Sequence, residues 1–353
     1  MTEDKLRGCI MEIKKIQGDL CHDTLRDKIK QKYAFNPNED FEVQKKRAKE
    51  KLIELLGMED IIANKADDAQ FEIEEVVQCD GYTRTRFTFQ SEVDSIVPCY
   101  ILIPDRDKEK YPLAITLQGH STGFHNSIGI PKSESDVEYI TRGDFAVQAV
   151  KEGFVALAIE QRCMGERITS RHTWSHTCEY PTLNAIMMGR TSIGERIFDI
   201  SCAIDQMSNF DKVDTSKIFI TGNSGGGTVT FYAACLEDRI SFAIPSCAFC
   251  SFKTSIMEMY HCSCNYIPSL YKWFEMHDVA IVLAPKKVTF IAGIEDPIFP
   301  IHGVKDSYSV VEKIYQSAGA KDACKLVITP KGHWWCKDIV WEEVKKGIEE
   351  LGW

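Results

Sequence analysis

The chain has 353 residues, a net charge of -10, 44% hydrophobic and 27% charged residues, which is ordinary for a soluble globular protein long enough to bury a large core. An acidic balance of this size argues against nucleic acid or an anionic membrane as partner. No run of 18 apolar residues occurs and the start, MTEDKLRG, is charged, so neither a spanning helix nor a signal peptide is expected. The fourteen cysteines fall largely in helical and strand patterns, as at Cys99, Cys202, Cys235 and Cys247, where the thiol acts as a small buried hydrophobe. A reducing, cytoplasmic setting is expected.

Residues 1 to about 65 carry helical periodicity. Leu6, Ile10, Ile13 and Leu20 share one face, and Ala48, Leu52 and Leu55 mark a second helix that stops at Gly57. The expectation is a helical extension over 1–68 packed on a catalytic domain over 69–353. From residue 69 the period becomes two: FEIEEVVQ, TRTRFTFQ and IVPCYILIP read as an antiparallel meander with short polar turns. After Lys110 the strands become apolar throughout and alternate with helices, at 112–117, 154–159, 217–221, 241–245, 287–292 and 325–329. That pattern is an α/β protein with a parallel sheet covered on both faces. Functional residues should then lie just beyond the carboxyl ends of the strands.

One strand end carries SKIFITGNSGGGTVTFYAACLED. It lacks the lysine of a phosphate loop and the third glycine of a dinucleotide fingerprint. Gly222-Asn223-Ser224-Gly225-Gly226 instead matches G-x-S-x-G, the sharp strand-to-helix turn that lifts a serine hydroxyl above an α/β-hydrolase sheet, with glycines where a side chain would collide with neighbouring elements. The motif alone arises by chance in a fair share of chains, so its weight depends on an acid and a histidine later in the chain. Glu295 and Asp296 come after the strand at 287–292, and His333 after the last strand. Serine, acid, histidine is the chain order of that fold.

Ser224 would be the nucleophile and His333 the base that takes its proton and returns it to the leaving alcohol. Asp296 would fix the histidine tautomer, with Glu295 as the competing acid. Two backbone N–H groups should stabilise the developing oxyanion: Gly225, after the nucleophile, and His120 in QGHSTG. A cluster of Cys247, Cys250, Cys262 and Cys264 beside His261 raises a zinc reading, disfavoured because the C-x-C spacing departs from the knuckle pairs of structural zinc. No metal and no cofactor are expected.

LQGHSTG, GNSGGG, HCSCNYIPSLYKWFEMHDVAIVLAPKKVTFIAG, EDPIFP, KGHWW and the helix GRTSIGERIFDISCAIDQM together resemble the bacterial acetyl xylan esterase and cephalosporin C deacetylase group, related to dienelactone hydrolases. The likeness covers roughly residues 70–350. It implies a mostly parallel eight-stranded α/β-hydrolase sheet and a D-x-x-x-P triad acid, which Asp296 and Pro300 match. It also implies a serine esterase that works through an acyl-enzyme, takes small acyl groups such as acetyl from a carbohydrate or similar alcohol, and can be a homo-oligomer. Gln118 departs from the histidine common before the oxyanion glycine.

Insertions at 121–145, 161–195 and 247–285 should wall the pocket, bringing Phe124, His125, Arg162, Trp174, Tyr180, Tyr260, Tyr266 and Trp273, with Trp334 and Trp335 flanking His333. For any one ring, core packing is the competing role. A prolyl-oligopeptidase-like peptidase is the rival enzyme, but residues 1–110 are too short for its propeller. A non-catalytic hydrolase-fold binding protein is the other rival, and it has no need of all three residues.

Overall fold

The computed structural model describes residues 18–169 and 177–353. Leu6, Ile10, Ile13 and Trp174 therefore lie outside the described residues. Nine strands form one sheet: β1 (Glu72–Cys79), β2 (Tyr82–Glu92), β3 (Ser95–Pro104), β4 (Tyr111–Leu117), β5 (Val155–Ile159), β6 (Val213–Asn223), β7 (Ile240–Ser246), β8 (Lys287–Gly293) and β9 (Cys324–Thr329), in the order β1-β2-β3-β5-β4-β6-β7-β8-β9. The strands β1 to β3 are antiparallel, β3 pairs antiparallel with β5, and β5, β4, β6, β7, β8 and β9 run parallel. The expected eight strands are thus nine. The additional one is compatible with an edge position, since β1 is exposed along its first five residues and pairs only with β2.

Both faces of the parallel part are buried, and its residues alternate between two cores. Leu113, Ile115, Ile218 and Ile220 point into one core, and Ala114, Phe219 and Phe242 into the other. The first core holds residues of α2 (Phe41–Leu56), α3 (Met58–Ala63), α7 (Ser192–Asp205), α8 (Gly225–Leu236), α9 (Met276–Leu283) and α10 (Ile301–Ser317). The second holds residues of α5 (Phe145–Glu152) and α11 (Lys337–Glu350). The remaining helices are α1 (Leu20–Lys28), α4 (Glu134–Gly143) and α6 (Glu179–Met187). Uniformly apolar strands are what a sheet covered on both sides requires.

The helix α2 begins where Asp40 accepts a hydrogen bond from Val43 N–H, and ends at Gly57, whose φ of 70° closes the last turn. Its inner face is Gln44, Ala48, Leu52 and Leu56, a strict four-residue repeat, so Leu56 takes the place expected of Leu55, which is half-buried. Gln44 is polar yet buried because its amide donates to the Asn36 and Glu39 carbonyls while its oxygen accepts from Asn36 N–H.

Positions before and after β4 make the site possible. The chain crosses from β3 to β4, returns through β5 between them, then passes to β6 on the other side. Loops after β4 and β6 therefore open in adjacent places at the carboxyl end of the sheet, the usual binding crevice of such folds.

Leu52 is fully buried against this core. Leu52→Ala should lower unfolding free energy by about 2–5 kcal/mol through lost burial and the cavity left behind, measured as a shift in the urea midpoint at constant slope.

Candidate active site

Ser224 sits between β6 and α8 with φ 56° and ψ -122°, a region costly for a residue with a side chain, of the order of 1–3 kcal/mol. Two hydrogen bonds hold it there: Ser224 N–H donates to Ser246 O at 2.9 Å, and Thr228 N–H donates to Ser224 O at 2.9 Å. The flanking glycines are required by close approach. A Cβ on Gly226 would lie 2.3 Å from Leu117 O, and one on Gly222 would lie 2.7 Å from the same oxygen. The elbow is therefore pressed onto the end of β4.

The structure brings Asp296 and His333 together. His333 Nδ1 lies 2.8 Å from Asp296 Oδ2, while Asp296 Oδ1 accepts from Ile298 N–H at 2.8 Å and Phe299 N–H at 3.1 Å. With all its partners donors, the buried carboxylate places the ring proton on Nδ1, leaving Nε2 with a lone pair. Phe299 stacks on the His333 ring, centroids 5.8 Å apart at 19°. Glu295 is exposed and makes no such contact, so the geometry separates the two candidate acids. Ser224 Oγ makes no hydrogen bond among the described residues, and apo sites often tighten only with substrate.

Gly225 is the first residue of α8, so its N–H has no helical partner and carries the positive end of the helix dipole. The His120 ring lies over it, since a Cβ on Gly225 would come within 2.8 Å of His120 Nδ1. The loop bearing His120 is held from below by Glu160, a residue that no sequence motif marks. Glu160 Oε1 accepts from Gln118 Nε2 at 3.1 Å and Phe124 N–H at 3.2 Å, and Oε2 from Glu166 N–H at 3.2 Å. Its only sequence signal is an acidic residue directly after β5. Gln118, the departure from the family pattern, is buried here and donates to that carboxylate, while its own carbonyl accepts from Gln161 Nε2 at 2.7 Å.

Most of the expected pocket wall is elsewhere. Phe124 and His125 are buried, the latter with its Nε2 3.2 Å from Asp136 Oδ2. Arg162 is tied into a buried ion network, its Nε and Nη2 each 2.9 Å from Asp199 and its Nη2 also bonded to Glu92. Arg167 and Arg190 complete it. Charges in such a network cannot stand apart from their partners in a low-dielectric interior, so Arg162 is structural. Trp273 packs edge-on to Tyr33 at 5.0 Å with Lys32 and Lys51 over its ring. Trp335 is buried and donates to Gln148. Tyr180 is half-buried, while Tyr260 and Tyr266 are exposed. Trp334 remains beside His333, 39% exposed under the Arg142 guanidinium, which lies 3.5 Å from its ring centre. It lines a cavity with Thr141, Arg142, Lys331 and Trp335, and the lining of that cavity includes none of Ser224, Asp296 and His333.

The cysteines also rearrange. Cys247, with φ 48°, comes directly after β7 and within mutual reach of Asp296 and His333. Burial first, then the Asp296 carboxylate, pushes its thiol up to about 12, so it stays neutral. Burial and the nearby His333 push His261 down to about 4, which keeps it neutral too, with its Nε2 3.2 Å from Ser255 Oγ. Cys250 lies apart, against Thr254 Oγ1. The grouping of Cys247, Cys250 and His261 with Cys262 and Cys264 is therefore not formed. Cys262 and Cys264 instead meet Cys178 and His120.

Strand order, elbow and the convergence of loops on it define the class, an α/β-hydrolase. The family described as Abhydrolase family matches residues 16–326, and the chain belongs to it. It is similar to "Putative hydrolase YtaP" of Bacillus subtilis (strain 168), 25% identical over 240 residues, which span 67% of this chain and 77% of that protein. Among solved structures it is similar to a "putative acetyl xylan esterase" from Bacteroides fragilis NCTC 9343, with TM-score 0.77, 16% identity and coverage of 94% and 95% of the two chains. It is also similar to an acetyl xylan esterase from Paenibacillus sp. R4, with TM-score 0.60, 16% identity and coverage of 92% and 98%. No helix among the described residues is long and apolar enough to cross a membrane.

Burial pushes the Glu160 carboxyl from its ordinary 4.5 up to about 7. The folded state thus favours the protonated acid: this contribution is complete below about pH 4.5 and is lost as pH rises through about 7. The unfolding free energy from urea titrations should fall across that span by up to about 3 kcal/mol more in wild type than in Glu160→Gln, which lacks this contribution.

Proposed function

We propose that the protein is a serine carboxylic-ester hydrolase. The observation that carries this is the Asp296–His333 hydrogen bond of 2.8 Å, at the same end of the sheet as a serine in the strained elbow conformation. Attack by Ser224 Oγ on the ester carbonyl passes its proton to His333 Nε2, and Asp296 stabilises the imidazolium that forms. Negative charge gathers on the carbonyl oxygen, where the N–H groups of Gly225 and His120 serve as donors. Neither N–H donates to another group among the described residues. Collapse of the adduct expels the alcohol, which takes the proton from His333 and leaves an acyl group on Ser224. Water, deprotonated by the same histidine, then releases the acid.

The acyl group in this reading is small, acetyl in the first instance, and the alcohol a carbohydrate or a similar polyol. The names of the structurally similar acetyl xylan esterases support it. We place the work in the cytoplasm, on a catalytic unit over residues 69–353 with the helices of 1–68 as an extension.

Hydrolysis of p-nitrophenyl acetate should exceed that of p-nitrophenyl octanoate in kcat/KM. Ser224→Ala and His333→Ala should each lose roughly 10⁴-fold or more in kcat, and Asp296→Asn about as much, with the fold unchanged by circular dichroism. Octanoate turned over faster than acetate would overturn the acyl size, and full activity in Ser224→Ala would overturn the nucleophile.

A further inference from the structure

Three insertions and loops far apart in the chain deliver sulfur and nitrogen donors to one point. His120 Nε2 lies 3.2 Å from Cys264 Sγ, and Cys262 Sγ lies 3.4 Å from Cys264 Sγ. Together with Cys178, all four donor atoms fall within 4.8 Å of one another. None of the three cysteines is in a disulfide, and 3.4 Å is far beyond the roughly 2.05 Å of an S–S bond.

We propose that His120, Cys178, Cys262 and Cys264 form a structural Cys3His site for a divalent zinc-type cation. A tetrahedral zinc with Zn–S of about 2.3 Å and Zn–N of about 2.05 Å sets sulfur pairs about 3.8 Å apart and sulfur–nitrogen pairs about 3.6 Å apart. The His120–Cys264 and Cys262–Cys264 separations of 3.2 and 3.4 Å fall slightly inside those values, and every pair of donors lies within 4.8 Å. The donors are soft sulfur and imidazole, the set that zinc prefers over calcium or magnesium. Charge is accounted for as well: three thiolates and Zn²⁺ leave one negative charge, and the buried Arg196 places Nη2 3.5 Å from Cys178 Sγ. Its Nη2 also donates to Arg162 O at 2.8 Å, which fixes the guanidinium to the ion network below. This is the outer-shell support that metal ligands need. Cys163 packs against the same cluster without joining the mutually close four.

The assignment has a geometric consequence for the ester site. Four protein ligands leave no open position, so the ion holds structure and does not activate water. It ties the loop after β4 to residue 178 of the second insertion and residues 262 and 264 of the third. Metal on Nε2 leaves the proton of His120 on Nδ1, the atom that faces Gly225. The backbone donor of His120 is thereby held in place by a ring anchored on its far side. The C-x-C pair, unlike a zinc knuckle in its spacing, supplies only two ligands, and the other two come from distant parts of the chain that no local spacing rule can find.

The test is metal analysis of the full chain, purified without chelator, by plasma mass spectrometry. About one zinc per chain is expected, falling several-fold or more in Cys178→Ser, Cys264→Ser and His120→Ala, and unchanged in Cys235→Ser, whose thiol lies in a separate core. Because the buried cysteine variants can fail to fold, wild type is also stripped and reloaded with Co²⁺. Tetrahedral thiolate coordination gives intense visible d–d bands and a sulfur-to-cobalt charge-transfer absorption, both of which should weaken in His120→Ala. Substoichiometric zinc in wild type that Co²⁺ reloading fails to replace with those bands would overturn the site. So would a disulfide among Cys178, Cys262 and Cys264 in the native protein by peptide mass spectrometry. None of these readouts depends on ester hydrolysis.

Discussion

The close contact between the turn that carries Ser224 and the end of β4 is the constraint on which the candidate site depends. Gly222 and Gly226 press within a few ångströms of Leu117 O, and that contact forces Ser224 out of an ordinary backbone conformation. The strain is sustained because β6 lies between β4 and β7, with hydrogen bonds on both sides. Side chains on those glycines would push the helix α8 off the sheet and lower the serine back toward the strand. A central parallel strand is rigid enough to hold a costly φ; an edge strand would relax.

Around that fixed point, polar groups are buried in the service of loops. Glu160 is enclosed by donors from Gln118, Phe124 and Glu166, so one carboxyl organises three turns of chain beneath the loop that carries His120. The network of Glu92, Arg162, Asp199, Arg167 and Arg190 does the same for the second insertion. Buried charges of this kind add little net stability against an apolar alternative, but removing one partner leaves the others uncompensated. Their value here is positional.

Much of this architecture is legible in the residues. The six parallel strands, the elbow and the order of Ser224, Asp296 and His333 emerge from periodicity and from chemistry that tolerates few residue types at a strand end. The inner face of α2 ends one residue later than its pattern suggests, because Leu55 and Leu56 are both apolar and only packing chooses between them. The pocket wall is far less legible. Arg162, Phe124 and Trp273 lie in irregular insertions, where a side chain's direction has no period to read. The cysteine cluster is obscured for the same reason: neighbours in sequence, Cys247 and Cys250, diverge, while His120 and Cys178 arrive from elsewhere. Glu160 is hidden because a single carboxylate carries no pattern.

The strand β1 has a bearing on how the molecule meets others like it. It is the outer edge on the antiparallel side, with Glu72, Glu74 and Glu75 along it and a bulge between Ile73 and Glu75. Clustered like charges and a break in register are the means by which natural sheets refuse an extra strand. A strand approaching that margin meets charged side chains, of which Glu74 and Glu75 are already paired with Arg86 and Arg84, and an irregular ladder. The same features weigh against the addition of a further strand at this margin.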